Sequence, residues 1–425
     1  MNTIYPVSIL NNKLKVVTHS MKGRESVALG IWFAVGGRYE TKKISGISHF
    51  IEHLVFKGTP TRNVRTIKAE IEGRGGLLNA FTNEDTTCFL VKIVKKHLPL
   101  ALEILADMCQ NPLFKAIDIE RERGVILEEI KMYMDMPMQY AHDLINQLLW
   151  PDQPLGMFIA GDFKSVTGIG RSDIIAYHNK YYRPSNTLAT VCGDISHEET
   201  YRLVHKYFPR KREAKRFRCK KVVGHQSKPR FNFYYKKTEQ SHLVIGMHAL
   251  KRTDPQRYAL ALLHVILGAN MSSRLYEEVR EKRGLAYSIR SGLSFYEDTG
   301  SFTVSAGVEN KKIEATLTVI MKELAKIKKN GVKAGELMRG KEYFLNQLFF
   351  ALDDTLDRML WIGDKAMHFD QIPSKDQIIK RIEAVTVDAV QSMAAKLFKN
   401  ANLNLVVIGP LEEKMQKKIR NQFTL

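Results

Sequence analysis

Apolar and polar residues alternate along eight short stretches of the chain: residues 14–17, 27–35, 88–94, 188–191, 231–235, 242–248, 300–308 and 403–407. That pattern puts one face of an extended segment in a core, and it predicts strands. Between them, apolar residues recur every three or four positions over 64–72, 98–108, 171–181, 255–267, 311–328, 335–349 and 387–396. These stretches are read as helices. Strands and helices are interspersed without strict strand–helix–strand alternation. The expected class is therefore α+β, with mixed or antiparallel sheets backed by helices.

The pattern occurs twice. Residues 181–193, Tyr-Tyr-Arg-Pro-Ser-Asn-Thr-Leu-Ala-Thr-Val-Cys-Gly, align with residues 397–409, Leu-Phe-Lys-Asn-Ala-Asn-Leu-Asn-Leu-Val-Val-Ile-Gly. Each reads as a helix end, an Asn turn, an apolar strand and a Gly, which predicts two homologous halves. A dense basic run over 209–221, followed by Gln-Ser-Lys-Pro-Arg at 226–230, lies near the midpoint. The expected organisation is a first domain over 1–209, a basic linker over 210–230 and a second domain over 231–425.

One helical stretch carries candidate chemistry. Residues 45–53 read Ser-Gly-Ile-Ser-His-Phe-Ile-Glu-His, with Ser45 as the expected N-cap and Gly58 with Pro60 as the stop. His49 and His53 are four apart and share a helical face, with Glu52 bordering it. Two imidazoles and a carboxylate in the order H-x-x-E-H suit a zinc ion and a base for water. The same letters also describe an amphipathic helix with ordinary polar residues. A second acidic helix covers residues 120–131, Glu-Arg-Glu-Arg-Gly-Val-Ile-Leu-Glu-Glu-Ile-Lys. Glu122 and Glu129 are seven apart on one face. Glu129 could close a metal site and Glu122 could orient a ligand or a water from behind it. Alone, this segment also reads as a solvated charged helix.

Taken together these residues resemble the pitrilysin/insulinase zinc peptidases, in the branch that contains mitochondrial processing peptidase and the short bacterial peptidases. Further stretches carry the likeness: Gly36-Gly-Arg38; Gly75-Gly-Leu-Leu-Asn-Ala-Phe-Thr82, similar to the family's substrate-binding edge strand; Gly124–Met132 around Glu129; and Met271–Ser288, similar to the second-domain signature. Phe81 stands where Tyr is common, and Ala269-Asn270 where a glycine pair is common. The resemblance implies a zinc-dependent endopeptidase of the duplicated pitrilysin fold, with one zinc per chain held by His49, His53 and Glu129. It implies Glu52 as general base, and Arg280 and Tyr287 for substrate and transition-state contacts. Asn79, Ala80 and Phe81 would receive an extended peptide. Two chains, a homodimer or a heterodimer, would enclose a short or unfolded peptide substrate. A non-catalytic partner subunit is the competing reading, but such subunits lose ligands or the base, and all four residues are present here. In the second half Ser273-Arg-Leu-Tyr-Glu-Glu278 aligns with Ser48–His53, so Arg274 and Glu278 replace both histidines. That half is expected to serve substrate binding without a metal.

Composition changes the picture little. Net charge is +20, from 65 basic against 45 acidic residues, which would suit an anionic partner. The basic residues are dispersed outside the linker and are not interleaved with aromatics, so no specific nucleic-acid binding is expected. Cys88, Cys109, Cys192 and Cys219 lack any C-x-x-C spacing and read as reduced buried thiols. No signal peptide and no membrane span is read, so a cytoplasmic location is expected. The remaining histidines, His97, His142, His264 and His368 among them, are read as packing or surface residues.

Overall fold

The alternating stretches form the strands of two mixed sheets in the computed structural model, which describes residues 4–209, 217–224 and 226–425. The first sheet contains β1 (Val7–Ile9), β2 (Lys15–Ser20), β3 (Ser26–Phe33), β4 (Leu77–Thr82), β5 (Thr87–Val94) and β6 (Thr187–Gly193) in the order β1-β2-β6-β3-β5-β4. The second contains β7 (Arg230–Tyr235), β8 (Gln240–Ala249), β9 (Ala286–Phe295), β10 (Gly300–Glu309) and β11 (Asn404–Gly409) in the order β7-β11-β8-β10-β9. In each sheet the last strand inserts between two earlier ones, parallel to β2 or β7 and antiparallel to β3 or β8. The fold is thus the expected duplicated α+β fold, with β1 added to the first copy. Residues 181–193 and 397–409 both run from a helix end into this inserted strand.

Three strands escaped the periodicity. β1 is short and mostly exposed. β4 and β9 are the equivalent edge strands of the two sheets, and an edge strand need not alternate strongly because only part of it meets a core. Several helices were also unread, notably Pro137–Leu149, His197–Tyr207, Thr355–His368, Lys375–Glu383 and Glu413–Gln422.

The chain forms two compact units: Met1–Lys131 with Met157–Lys220 and Leu348–Ser374, and Met132–Gly156 with Lys221–Gln347 and Lys375–Leu425. They differ from the contiguous segments 1–209 and 231–425, because each unit borrows a helix from the other half of the chain. The Thr355–His368 helix packs on β3 and β6, burying Met359, Ile362, Ala366 and Met367 against Trp32, Leu188 and Cys192. The Pro137–Leu149 helix packs on β8 and β11 in the second unit. A glycine permits each approach. A Cβ at Gly363 would lie 2.2 Å from the Trp32 ring, and one at Gly246 would lie 2.4 Å from Ile145. Residues 210–216 and His225 of the expected linker lie outside the described residues.

Gly363→Ala is expected to destabilise the first unit. Trp32 cannot retreat, since its indole N–H donates to Thr190 Oγ1 (2.8 Å) and its ring meets Phe81 edge-on (5.6 Å). Overpacking of this kind costs about 1–3 kcal/mol. A chemical denaturation curve for Gly363→Ala that overlays the parent's would show that the helix does not hold this sheet.

Candidate metal centre

The motif helix, Ile47–Val55, buries Ile47, Ser48, Phe50, Ile51, Leu54 and Val55. The helical period leaves His49, Glu52 and His53 on the opposite, less buried side. Ser45 is not its N-cap, contrary to the expectation. Gly46 takes that position with φ 91°, a left-handed conformation that suits glycine, and it supplies no side chain. The capping role passes to Glu40, whose buried carboxylate accepts the N–H of Gly46 (2.7 Å) and of Ser48 (2.9 Å). Ser48 Oγ in turn meets the Tyr177 hydroxyl (2.9 Å). The segment before Glu40 anchors a second element. Gly37 N–H donates to Asn83 O and Arg38 N–H to Glu84 O, so the β4–β5 turn is tied to the entrance of the motif helix. Arg38 itself is buried and pairs with Asp85 (3.3 Å).

Burial pushes the Glu40 carboxyl up to about 8, against the opposing effect of its hydrogen bonds from Ser48 and Gly46. The folded protein therefore retains a proton that the unfolded chain loses near the ordinary value of 4.5. Stability from this group therefore falls as pH rises from about 4.5 to about 8. Glu40→Gln is expected to flatten that stretch of the thermal stability–pH profile. An unchanged slope would mean that Glu40 titrates alike in both states.

His49 and His53 lie one turn apart with ring centroids 4.6 Å apart. The acidic segment forms the helix Ala116–Asp135, which buries Ile119, Glu122, Ile126 and Ile130. Arg123 of this helix lies 5.4 Å over the Phe50 ring and holds it against the motif helix. Glu129 then reaches both imidazoles, with Oε1 3.7 Å from His49 Nε2 and Oε2 3.7 Å from His53 Nε2. One ligand atom from each of His49, His53 and Glu129 falls within 4.8 Å of the others, and this is the one such group among the described residues. Glu122 turns to the far side of His53, accepting from its Nδ1 (3.1 Å) and pairing with Lys57 (2.5 Å). Burial would raise the Glu122 carboxyl, but the hydrogen bonds and charges of His53 and Lys57 bring it below its ordinary value.

This donor set fits a zinc ion. Burial, reinforced by the His53 charge, lowers His49 to about 3, so its imidazole is neutral and its lone pair free to bind. With a proton on Nδ1 held by Glu122, His53 presents Nε2 toward Glu129. Two imidazole nitrogens and one carboxylate oxygen leave a position open, as catalytic zinc sites do.

Glu52 lies beside this group but outside it. Its Oε2 accepts a hydrogen bond from Thr82 Oγ1 at 2.6 Å. Its carboxyl is raised chiefly by burial, partly offset by Thr82 and the His53 charge. Thr82 ends β4 and had no role in the sequence reading, although it closes the Gly75–Thr82 segment. Asn79 and Ala80 lie on the same edge strand, where the Ala80 N–H donates to Asn79 Oδ1 (2.8 Å). The Phe81 ring lies on the face of the sheet opposite Thr82 and packs on Trp32, partly buried, so its backbone is the part better placed for a ligand.

Arg280 and Tyr287 belong to the second unit, on a π-helical turn (Tyr276–Glu281) and on β9. They come together there: the Arg280 guanidinium lies 5.4 Å over the Tyr287 ring and 4.8 Å over Tyr276. Tyr276 was not read from the sequence. Arg274, which replaces the first histidine, is held by both carboxylate oxygens of Glu336 at 2.8 Å. Cys88, Cys109 and Cys192 are buried free thiols, as expected, whereas Cys219 is only partly buried. Among the described residues no helix is long and apolar enough to cross a membrane.

Residues 15–162 match the family model described as Insulinase (Peptidase family M16), and residues 168–344 match the Peptidase M16 inactive domain. The chain is 33% identical over 414 residues to an "uncharacterized zinc protease" of Streptomyces coelicolor, covering 96% of this chain and 90% of the relative. It is 34% identical over 403 residues to another of that description, YmxG of Bacillus subtilis, covering 94% and 97%. A crystal structure of a protease from Helicobacter pylori superposes with a TM-score of 0.89 over 96% of this chain and 99% of that one. A structure from Pseudomonas fluorescens, described as a peptidase M16 inactive domain, gives 0.89 over 96% and 98%. At 24% and 21% identity these two speak for the fold.

Proposed function

This chain belongs to the insulinase family of peptidases, peptidase family M16, and we propose that it is a zinc-dependent endopeptidase acting on short or unfolded peptides. One observation carries the proposal: the ligand atoms of His49, His53 and Glu129 converge, with the Glu52 carboxylate beside them but outside the set. Bound there, zinc would supply Lewis-acid polarisation of a peptide carbonyl and an acidified water. His49, His53 and Glu129 would hold it, while Glu122 would fix the tautomer and orientation of His53. Glu52 accepts the proton of the attacking water on Oε1, since Thr82 engages Oε2, and returns it to the departing amide nitrogen. The peptide adds as a strand to the edge at β4, taking over the Ala80 N–H that Asn79 now covers. The label of the second matched model, an inactive domain, agrees with the loss of both histidines at Arg274 and Glu278.

The purified chain is expected to cleave a peptide mixture, and a chelator is expected to stop it. The proposed working unit is a pair of chains enclosing the peptide, with Arg280 and Tyr287 contacting it or its transition state. Arg280→Ala should then bind zinc normally yet hydrolyse poorly. Mixing it with inactive Glu52→Gln should restore activity, because a mixed pair holds one intact metal centre and one intact Arg280. Once subunit exchange has been demonstrated, a mixture that stays inactive would remove the shared chamber from the proposal and leave the metal chemistry standing.

A further inference from the structure

The second unit contains an open cleft of about 750 Å³, lined wholly by its own residues. That volume suits a small-molecule ligand. The cleft wall carries Arg230, Lys396 and Lys399 against one carboxylate, Asp298. Three of its side-chain acceptors are already engaged: Asp298 Oδ2 takes the Val222 N–H (2.7 Å), Gln153 Oε1 the Val223 N–H (2.8 Å) and Asn402 Oδ1 the His248 N–H (3.1 Å).

The donors are less committed. Lys399 Nζ has no partner among the described residues, and Lys396 Nζ holds only Gln256 Oε1 (3.0 Å). Arg230 donates to backbone carbonyls and not to a carboxylate. Trp150 is the strongest sign of a ligand. It is 1% exposed, its ring is fixed edge-on by His248 (5.7 Å) and Tyr296 (5.5 Å), and its indole N–H has no acceptor among the described residues. Buried indole N–H groups normally find one. A cation would be repelled here, and a neutral apolar molecule would leave these donors unmet.

We propose that this cleft binds a small acceptor-rich anion bearing two or more phosphate or carboxylate groups, received by Trp150 Nε1 and by Arg230, Lys396 and Lys399. The site is separate from the metal chemistry, and its test reads binding, not peptide cleavage. Titration calorimetry of the full chain with fructose 1,6-bisphosphate and, separately, with glutarate is expected to give saturable binding at one site for at least one of them. Binding of only the first assigns phosphate, and binding of only the second assigns carboxylate. Trp150→Phe keeps an aromatic six-membered ring but removes the N–H together with the five-membered ring, and it should weaken binding several-fold. The double variant Lys396→Gln, Lys399→Gln alters exposed side chains and should weaken it by about tenfold or more, as loss of charge-assisted hydrogen bonds does. Unchanged melting temperatures confirm that both variants fold; should Trp150→Phe not fold, the lysine pair decides. Absence of saturable binding, or binding equally tight in the folded variants, would overturn the proposal. The second result would assign the signal to diffuse attraction by the net +20 charge.

Discussion

Glu52→Gln is expected to abolish peptide hydrolysis while leaving zinc in place. The amide has nearly the shape of the carboxylate, and its oxygen can still accept the Thr82 hydroxyl that now lies 2.6 Å from Glu52 Oε2. It cannot accept the proton of an attacking water. General-base contributions are typically about 10²–10⁴-fold, so kcat on a fluorogenic peptide should fall by at least two orders of magnitude. Metal content, measured by elemental analysis, should stay at about one ion per chain, because Glu52 stands outside the group formed by His49, His53 and Glu129. A variant that cleaves normally, or that emerges without metal, would reassign Glu52.

The second large effect separates the two carboxylates of the Ala116–Asp135 helix. Glu129→Gln and His49→Ala should each lose most of the zinc, since each removes one of three converging ligands. Glu129 is also the group's one anionic member. Glu122→Gln should keep the metal and lower turnover about 10–100-fold, the usual cost of removing the partner that orients a metal-binding histidine. The distances motivate the distinction: Glu129 lies 3.7 Å from both Nε2 atoms, whereas Glu122 bonds His53 Nδ1 at 3.1 Å. If Glu122→Gln empties the site and Glu129→Gln does not, the two roles are exchanged.

Several features of this site were legible in the chain because they are local. His49 and His53 had to share a helical face once residues 47–55 were helical, and the buried apolar stripe made them so. The central strands were legible for the same reason, since a strand buried on one face writes its period into the sequence. The duplication was visible where a helix end, an Asn turn and an apolar strand recur. Resemblance supplied what periodicity did not, namely β4 and the Arg280–Tyr287 pair.

The repeat of periods, the class of fold and the candidate pair of histidines are local properties of the chain, because backbone geometry couples neighbours three to four apart on a helix and two apart on a strand. The rest depends on packing between segments distant in the chain. Glu122 and Glu129 share one helical face, and nothing local distinguishes them; the packing of their helix on the motif helix sets which one reaches both imidazoles. Ser45 looked like a cap until the fold brought a buried Glu40 to the same N–H groups. Thr82 reaches Glu52 through sheet register, and the same register turns Phe81 to the other face against Trp32. The exchange of the Thr355–His368 and Pro137–Leu149 helices between halves left no mark on the pattern, since an amphipathic stripe records that a helix is covered but not by which sheet.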